Sequence, residues 1–269
     1  MRLWYQSLAR QARTIDYGAD LQKVISSVVE PGTTVDLHGL EEAAGIGAHL
    51  RFLEYHDTKE VIGNAIRAEK EGYDAFLIGN ITDAGLREAR ELLNIPVLGL
   101  SETSLHIASM MGANFGLVAI AERWKPRLIE NVERYGLRGK LAGIETMETS
   151  PLDLRKAFRD EARRKDVINR FTSAADKLIA QGAEVIIPAG GEVGVFVIEA
   201  GLFEFQRAPV VNGIFELLKM GEMAVKLRAL TGRFTSKRFT YAPPEGDFLA
   251  RIREHYGPDV YPEPRPLKS

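Results

Sequence analysis

The sequence predicts an α/β fold with two similar halves, each built around a parallel sheet. Short apolar runs rich in β-branched residues alternate with longer segments of helical period, which is the pattern of βα units. The sequence also repeats itself: EGYDAFLIGN (71–80) aligns with QGAEVIIPAG (181–190), with helix end, glycine, acidic residue and apolar strand in the same order. Each copy is followed by a helical segment and a strand that opens with Pro-Val. Asn80 and Gly190 are therefore predicted to be equivalent strand tips in two pseudo-symmetric domains.

Strands and helices are predicted to alternate along most of the chain. The strands are apolar enough to be buried on both faces, as in parallel sheets, and are placed at 2–7, 33–39, 74–80, 96–101, 114–120, 141–146, 184–189 and 208–212. The helices are placed at 59–71, 84–93, 103–111, 123–135, 151–181 and 214–230. The fifth helix is long for a globular protein and is expected to break near the charged run EARRKD.

The two predicted domains are interleaved along the chain. The first α/β domain comprises 1–100 and 213–235, and the second comprises 101–212. Ligands of open α/β sheets bind beyond the carboxyl ends of the strands, so the site is expected in the interdomain cleft. The segment 236–269 is proline-rich and is predicted to be a C-terminal extended arm, with a partly disordered tail as the alternative.

Composition excludes several classes of function. The 269 residues are 45% hydrophobic and carry a net charge of −2, so neither nucleic acid nor an anionic membrane is an expected partner. No signal peptide or membrane span is recognised, which predicts a cytoplasmic protein. A small-molecule substrate and a homo-oligomer are expected as partners. There is no cysteine, which excludes thiol chemistry. The five histidines lack metal-ligand spacing, and no phosphate or nucleotide motif is present, so no cofactor and no metal are predicted.

The first strand tip reads GNITDAGLREAR. Thr82 or Asp83 stands where the N-cap of the following helix is expected, so the simplest role of both is structural. The functional alternative is substrate binding near amides that remain free at a helix start. Asn80 is interpreted differently, as a side chain that projects from the strand tip toward a ligand.

The second strand tip reads PAGGEVGVF. Gly190 and Gly191 allow the backbone to approach a ligand closely, although glycines also serve tight turns alone. Glu192 is the ionisable side chain of this loop. It is either a first-turn acid that favours the helix dipole or a general acid/base.

Other polar residues fall at predicted strand ends. Glu102 and His106 are four apart and share a helical face if the helix starts at Glu102, where the pair could act as a base; a satisfied core histidine is the alternative. The remaining substrate-binding candidates are neutral or weakly basic groups at strand ends: Gln6, Ser7, His38 and Asn212.

The chain resembles the aspartate/glutamate/hydantoin racemase superfamily. The resemblance is carried by GYDAFLIGNITDAGLREARELLNIPVLGLSETS (72–104), ANFGLVAI (113–120), GAEVIIPAGG (182–191) and APVVNGIFELLKMGEMAVKL (208–227), and it extends along most of the chain. It implies two pseudo-symmetric flavodoxin-like domains with the active site in the cleft between them. Members of the superfamily usually carry one cysteine at each of the two strand tips, as paired acid and base.

By this resemblance the two thiol positions fall on Asn80 and Gly190, so the chain is a cysteine-less member. An amide exchanges no proton near neutral pH and offers only hydrogen bonds, which suits Asn80 to hold a substrate oxygen. The resemblance implies an enzyme that acts on a small carboxylate, cyclic imide or lactam through a carbanion or oxyanion intermediate. Racemisation, decarboxylation and hydrolysis remain open, as do a lyase or hydrolase of different chemistry and a non-catalytic small-molecule binding protein.

Overall fold

The first half of the chain forms a four-stranded parallel sheet. A computed structural model describes residues 1–10, 17–43 and 49–261. The sheet has the order β2-β1-β3-β4 and contains β1 (Arg2–Arg10), β2 (Thr34–Leu40), β3 (Ala75–Ile78) and β4 (Val97–Gly99). Its helices are α1 (Gly18–Val28), α2 (Arg51–Lys70), α3 (Leu86–Leu92) and α4 (Leu100–Met111). Strands β3 and β4 are buried throughout, because helices cover a parallel sheet on both faces.

The second half repeats this arrangement with the strands β5 (Phe115–Ala119), β6 (Leu141–Thr146) and β7 (Val185–Pro188) in the order β6-β5-β7. A parallel bridge from Ile186 to Val210 occupies the place of a fourth strand. The helices are α5 (Lys125–Arg134), α6 (Pro151–Ala157), α7 (Glu161–Ala180) and α8 (Gly191–Glu199). Strand β7 thus takes the position in its sheet that β3 takes in the other, and the predicted fold of two pseudo-symmetric, flavodoxin-like parallel-sheet domains is confirmed.

The last elements connect the halves. Strands β8 (Glu204–Phe205) and β9 (Ala208–Pro209) form a short antiparallel pair, and α9 (Gly213–Thr231) follows. Helix α9 packs on the first sheet so closely that a β-carbon at Gly221 would lie 2.9 Å from the side chain of Leu77. The chain therefore returns to the first half after the second sheet, while the exact domain bounds remain a prediction.

Two expectations on element bounds differ from the structure, the expected helix break is confirmed, and one helix was not expected. The strand expected at 208–212 pairs mainly with β8 in antiparallel fashion. The break expected in 151–181 near EARRKD is present, since Asp160 caps a new helix immediately before this run and accepts a hydrogen bond from Arg163 N at 3.1 Å. The helix expected at 103–111 begins at Leu100. Helix α1 was not predicted at all.

The segment predicted as an extended arm contains helix α10 (Gly246–Tyr256). Prolines at 243, 244 and 258 flank this helix without interrupting it, and its first and last turns carry Asp247 and Arg253, charges that favour those ends. The segment packs on its own chain, because Lys237 Nζ donates to the backbone oxygens of Arg90 and Glu91 at the end of α3. Residues 262–269 of the predicted arm lie outside the described residues.

Within the described ranges, none of the helices combines the length and the apolar character that crossing a bilayer requires.

Helix α5 of the second half holds the loop that follows β3 in the first half. Arg127 Nη2 donates to Thr82 O at 2.5 Å, and Asn131 Nδ2 donates to Ile81 O at 3.0 Å. Arg127 also donates through Nε to Glu54 Oε1 at 2.9 Å and through Nη1 to Asn131. Arg127 is 5% exposed and Asn131 is fully buried, so these bonds form away from water, where losing a partner is expensive.

We predict that Arg127→Met lowers the free energy of unfolding by about 3 kcal/mol, because it removes the buried guanidinium from Glu54, which keeps only the half-exposed Arg51 at 3.5 Å, and leaves the buried backbone oxygen of Thr82 without its donor. Urea unfolding of the purified variant measures the change. Arg138→Met is the matched control, since Arg138 and its partner Glu133 are both more than half exposed and 3.8 Å apart, and it should cost less than about 0.5 kcal/mol. Equal unfolding midpoints for the two variants would contradict the prediction.

Candidate active site

The first strand tip is shaped by a close approach of Tyr5 to Gly79. A β-carbon at Gly79 would lie 2.2 Å from the Tyr5 ring, so only glycine fits at the end of β3. The next residue, Asn80, accepts two hydrogen bonds on Oδ1, from Thr82 N and Thr82 Oγ1, both at 2.9 Å. These bonds fix which end of the amide is the oxygen. No acceptor for Asn80 Nδ2 is found among the described residues, and this donor end belongs to a side chain that lines the cleft.

Asp83 caps a helix, but not the one expected from the sequence. It lies in the left-handed region at φ 51°, and its carboxylate accepts hydrogen bonds from Ser101 N at 2.9 Å and Glu102 N at 2.8 Å at the start of α4. Tyr135 at the end of α5 adds a third bond at 2.6 Å. Burial raises the pKa of Asp83 to about 7, against the effect of these bonds. Helix α3 begins instead after Gly85, without a side-chain cap.

The second strand tip lies against the first. A β-carbon at Gly191 would be 3.3 Å from Gly79 O, which places the two loops in contact range. Gly190 precedes α8 at φ 157°, a conformation that L side chains rarely adopt. The N–H groups of the first three residues of α8, 191–193, have no backbone acceptor among the described residues, as expected at a helix start. Amide donors and the positive end of the helix dipole therefore lie at this tip.

Glu192, in the first turn of α8, faces Arg155 from α6. Arg155 Nε donates to Glu192 Oε1 at 2.8 Å, and the side chain of Glu192 is 13% exposed. Burial raises the pKa of Glu192 above its usual value of 4.5, while the charge and hydrogen bond of Arg155 lower it in part. Glu192 is therefore a carboxyl group that titrates closer to neutrality than a solvated one.

Tyr17 and Ser7 complete the polar wall beside this ion pair. The Tyr17 hydroxyl lies 3.1 Å from Ser7 Oγ, which also accepts a hydrogen bond from Ala9 N at 3.1 Å. Burial, and secondarily the charge of Glu192, raise the pKa of Tyr17. Tyr17 therefore stays protonated near neutral pH and acts as a hydrogen-bond donor or acceptor.

These groups line one cleft between the two halves. Its cavity volume is about 60 Å³, well below the roughly 300–1,000 Å³ of sites for drug-sized ligands, so it suits a small compact molecule. The described lining residues are Ser7, Leu8, Ala9, Tyr17, Gly79, Asn80, Ile81, Ile120, Trp124, Arg155, Ala189, Gly190, Gly191 and Glu192. Within that lining, Glu192 and Arg155 are the charged side chains, and they neutralise each other.

The comparisons with known proteins agree with this architecture. The family model described as Asp/Glu/Hydantoin racemase matches residues 14–219. The chain belongs to the Asp/Glu/hydantoin racemase family. A hydantoin racemase from Pseudomonas sp. (strain NS671) is 29% identical over 211 residues, which cover 76% of this chain and 78% of that relative. The chain is thus an enzyme of the racemase superfamily.

Two solved structures share the fold. Allantoin racemase from Klebsiella pneumoniae has a TM-score of 0.75 at 24% identity, covering 91% of this chain and 94% of that chain. Arylmalonate decarboxylase has a TM-score of 0.55 at 16% identity, covering 84% and 92%. The family fold therefore accommodates reactions of more than one kind, and the substrate has to be argued from the cleft itself.

The Glu102–His106 pair predicted from sequence does not form. Arg90 from α3 donates through both terminal nitrogens to the Glu102 carboxylate, one of them at 2.9 Å, and this pair is less than one-fifth exposed. His106 is exposed and lies beside the ring of Tyr135, 6.2 Å between centroids. Neither residue lines the cleft. Glu102 pairs with Arg90 and not with His106, because a guanidinium binds a carboxylate through two parallel hydrogen bonds and an imidazole does not.

Four further residues predicted to bind substrate have structural contacts instead. Gln6 is fully buried, where it accepts from Trp4 Nε1 at 3.0 Å and donates to Ser7 O at 2.9 Å. His38 stacks on Trp4 with ring centroids 3.4 Å apart. Asn212 caps α9 by accepting from Ile214 N at 3.2 Å. Thr82 is also fully buried and serves the Asn80 turn.

Sequence reasoning missed Tyr17, Trp124 and Arg155. Arg155 lies in α6, ahead of the break expected near EARRKD, and its contact with Glu192 on α8 joins residues far apart in the sequence. Tyr17 and Trp124 precede helices, and each follows the carboxyl end of a strand. That position in a βα unit was the available signal.

No group of three or more histidine, aspartate or glutamate side chains able to hold a metal ion occurs in the ranges 1–10, 17–43 and 49–261.

Proposed function

We propose that this racemase-family enzyme transfers a proton at the carbon beside a carbonyl of a small carboxylate, cyclic imide or lactam bound in the cleft. Glu192 is the acid/base and Asn80 holds the oxygen that becomes negatively charged. The observation that carries the proposal is that these two side chains enter one small cleft from equivalent strand tips of the two halves.

Glu192 has the properties that proton transfer requires. Burial raises its pKa toward the range in which a carboxyl group is effective as a base at neutral pH. The Arg155 bond uses Oε1, and no hydrogen bond to Oε2 is found among the described residues. The proposed step breaks the substrate C–H bond: Glu192 takes the proton, and the electron pair moves into the adjacent carbonyl as an enolate.

Asn80 supports the enolate oxygen as a donor. Its Oδ1 is occupied by Thr82, so its amide hydrogens remain for a ligand. The first-turn N–H groups of α8 lie at the opposing tip and add further donors. Such preorganised donors stabilise charge that develops in the transition state.

The cleft provides acid/base chemistry from one side. Of its described lining residues, Glu192 alone is a carboxyl group, and Tyr17 stays protonated because burial raises its pKa. Inversion needs a proton taken from one face and returned to the other. The proposed enzyme therefore returns the proton to the face that lost it, or protonates the carbanion left by decarboxylation on one face only.

We predict that an enantiopure substrate exchanges its α-hydrogen for deuterium with retention of configuration. A panel of 5-substituted hydantoins, allantoin, pyroglutamate, glutamate and a phenylmalonate is incubated in D₂O. Proton NMR follows exchange or loss of CO₂, and chiral chromatography follows configuration. Fast racemisation would contradict the one-sided mechanism, and hydrolysis without exchange would point to another reaction at this cleft.

We predict that Glu192→Gln lowers kcat/KM by ~10²-fold or more, because it keeps the shape of the side chain but removes the transferable proton. The rise of kcat/KM with pH through the pKa of Glu192 should disappear as well. Glu102→Gln is the matched control: it is also a first-turn glutamate paired with an arginine, but it lies outside the cleft. Equal losses in both variants, or an unchanged pH profile in Glu192→Gln, would contradict the assignment.

We predict that Asn80→Ala lowers kcat by ~10²-fold without shifting the pH profile, because it removes a donor to the oxyanion and no titrating group. Asn80→Asp separates this effect from folding, since it keeps an acceptor for Thr82 while it replaces the donor by a charge. Thermal unfolding of Asn80→Asp should match the parent protein although its activity is lost. An active Asn80→Asp enzyme would show that the amide hydrogens are not needed.

A further inference from the structure

We propose that the ligand of the cleft carries a carboxylate, which Arg155 binds by drawing its guanidinium away from Glu192. The inference rests on the proposed function only in placing the ligand in this cleft. It adds a substrate class, a small lactam, imide or amide that bears one negative charge, and a role for Arg155 in specificity.

Arg155 is placed to recognise such a group. It is the cationic side chain among the described residues of the cleft lining, and its side chain is 20% exposed. A guanidinium holds a carboxylate through two parallel N–H bonds, whereas the bond to Glu192 uses Nε at 2.8 Å. The first turn of α8, with its amide donors and its dipole, lies beside the same pair and favours a second anion.

Exchange of one carboxylate for another costs Arg155 little additional desolvation. Both side chains are already largely removed from water, and the guanidinium keeps a carboxylate partner throughout. A bare cation in this cleft would instead have to be desolvated when the ligand binds. The ion pair between α6 and α8 therefore holds Arg155 in a largely desolvated position, where an anionic ligand can replace Glu192 as its partner.

The exchange has a consequence for Glu192. With two carboxylates and one guanidinium in a small cavity, one carboxylate is favoured to take up a proton. Arg155 is the group that lowers the pKa of Glu192, so a weaker contact between the two raises that pKa further. At a pH below the raised pKa of Glu192, binding of the anionic ligand should thus be accompanied by proton uptake, whereas above that pKa Glu192 stays ionised and remains the base.

Among the described residues of the cleft lining, Arg155 is the other charged group that faces Glu192, and Tyr17 at the start of α1 interacts with both. Other acidic groups on or near α8 lie outside that lining: Asp20 pairs with Arg159 and Lys23, and Glu199 pairs with Arg164. Burial also raises the pKa of Glu216, to about 7, but Glu216 lies at the start of α9 and does not line the cleft. Proton uptake on binding is therefore assigned to Glu192.

Calorimetry with two matched probes tests the proposal. Pyroglutamate and 2-pyrrolidinone share a five-membered lactam ring, and only the first carries a carboxylate. Titrations at pH 6 in two buffers of different ionisation enthalpy give affinity and proton uptake together. The unaltered protein, Arg155→Met, Arg155→Lys and Glu192→Gln are compared, with circular dichroism as a check of folding.

The expected result separates the two probes. Arg155→Met should weaken pyroglutamate binding by ~10-fold or more, and Arg155→Lys should restore part of it, because lysine keeps the charge but loses the two-pronged geometry. Glu192→Gln should tighten pyroglutamate binding by ~10-fold and abolish proton uptake, since the competing carboxylate is gone. The affinity for 2-pyrrolidinone should change less than about twofold in every variant, because this probe carries no charge that could interact with Arg155 or Glu192.

Several outcomes would overturn the proposal: no binding of pyroglutamate by the unaltered protein, equal effects of Arg155→Met on both probes, or weaker pyroglutamate binding in Glu192→Gln. The last result would identify the Arg155–Glu192 pair as a structural link between α6 and α8. Because no turnover is measured, failure of the proton-transfer mechanism would appear in the D₂O exchange experiment and leave these binding results unchanged.

Discussion

The loop formed by residues 80–83 is held from three directions, and the geometry of the cleft depends on it. Arg127 and Asn131 bind its backbone oxygens from α5, the Asp83 carboxylate binds the start of α4, and Asn80 closes a turn on Thr82. Two of these anchors come from the second half of the chain. The same bonds therefore join the halves and fix the backbone from which the Asn80 side chain enters the cleft.

Much of the fold could be predicted from the sequence because strands and helices produce local patterns of apolar residues. Parallel strands buried on both faces are continuous apolar runs, and the repeat at 71–80 and 181–190 marks the same position in both sheets. Helix α10 was missed because prolines dominate the composition of its surroundings, although they fall outside the helix itself. Composition reports averages, whereas a helix needs only eleven uninterrupted residues here.

The sequence could predict the residues of the candidate site that lie at strand ends. It could not predict which side chains pair with one another. Asn80, Gly190 and Glu192, which line the cleft, were predicted as site residues because ligands of parallel sheets bind at strand tips. The predicted pairing of Glu102 with His106 was wrong because the packing of α3 brings Arg90, twelve residues earlier, beside Glu102. Arg155 was missed for the same reason, since its partner lies 37 residues further along the chain. Side-chain partners at such separations are set by tertiary packing, which local periodicity does not encode.

The anchoring of the 80–83 loop also bears on how such a site can evolve. Three of its four residues are held through backbone oxygens or through the Asp83 carboxylate, so the side chain at position 80 can be exchanged while the loop keeps its place. At Gly190, φ is 157°, so a side chain at this second thiol position is accommodated only with a change in the local backbone. A substitution at position 80 can therefore change the chemistry of the cleft without moving its backbone, whereas a substitution at position 190 also has to change the conformation that precedes α8.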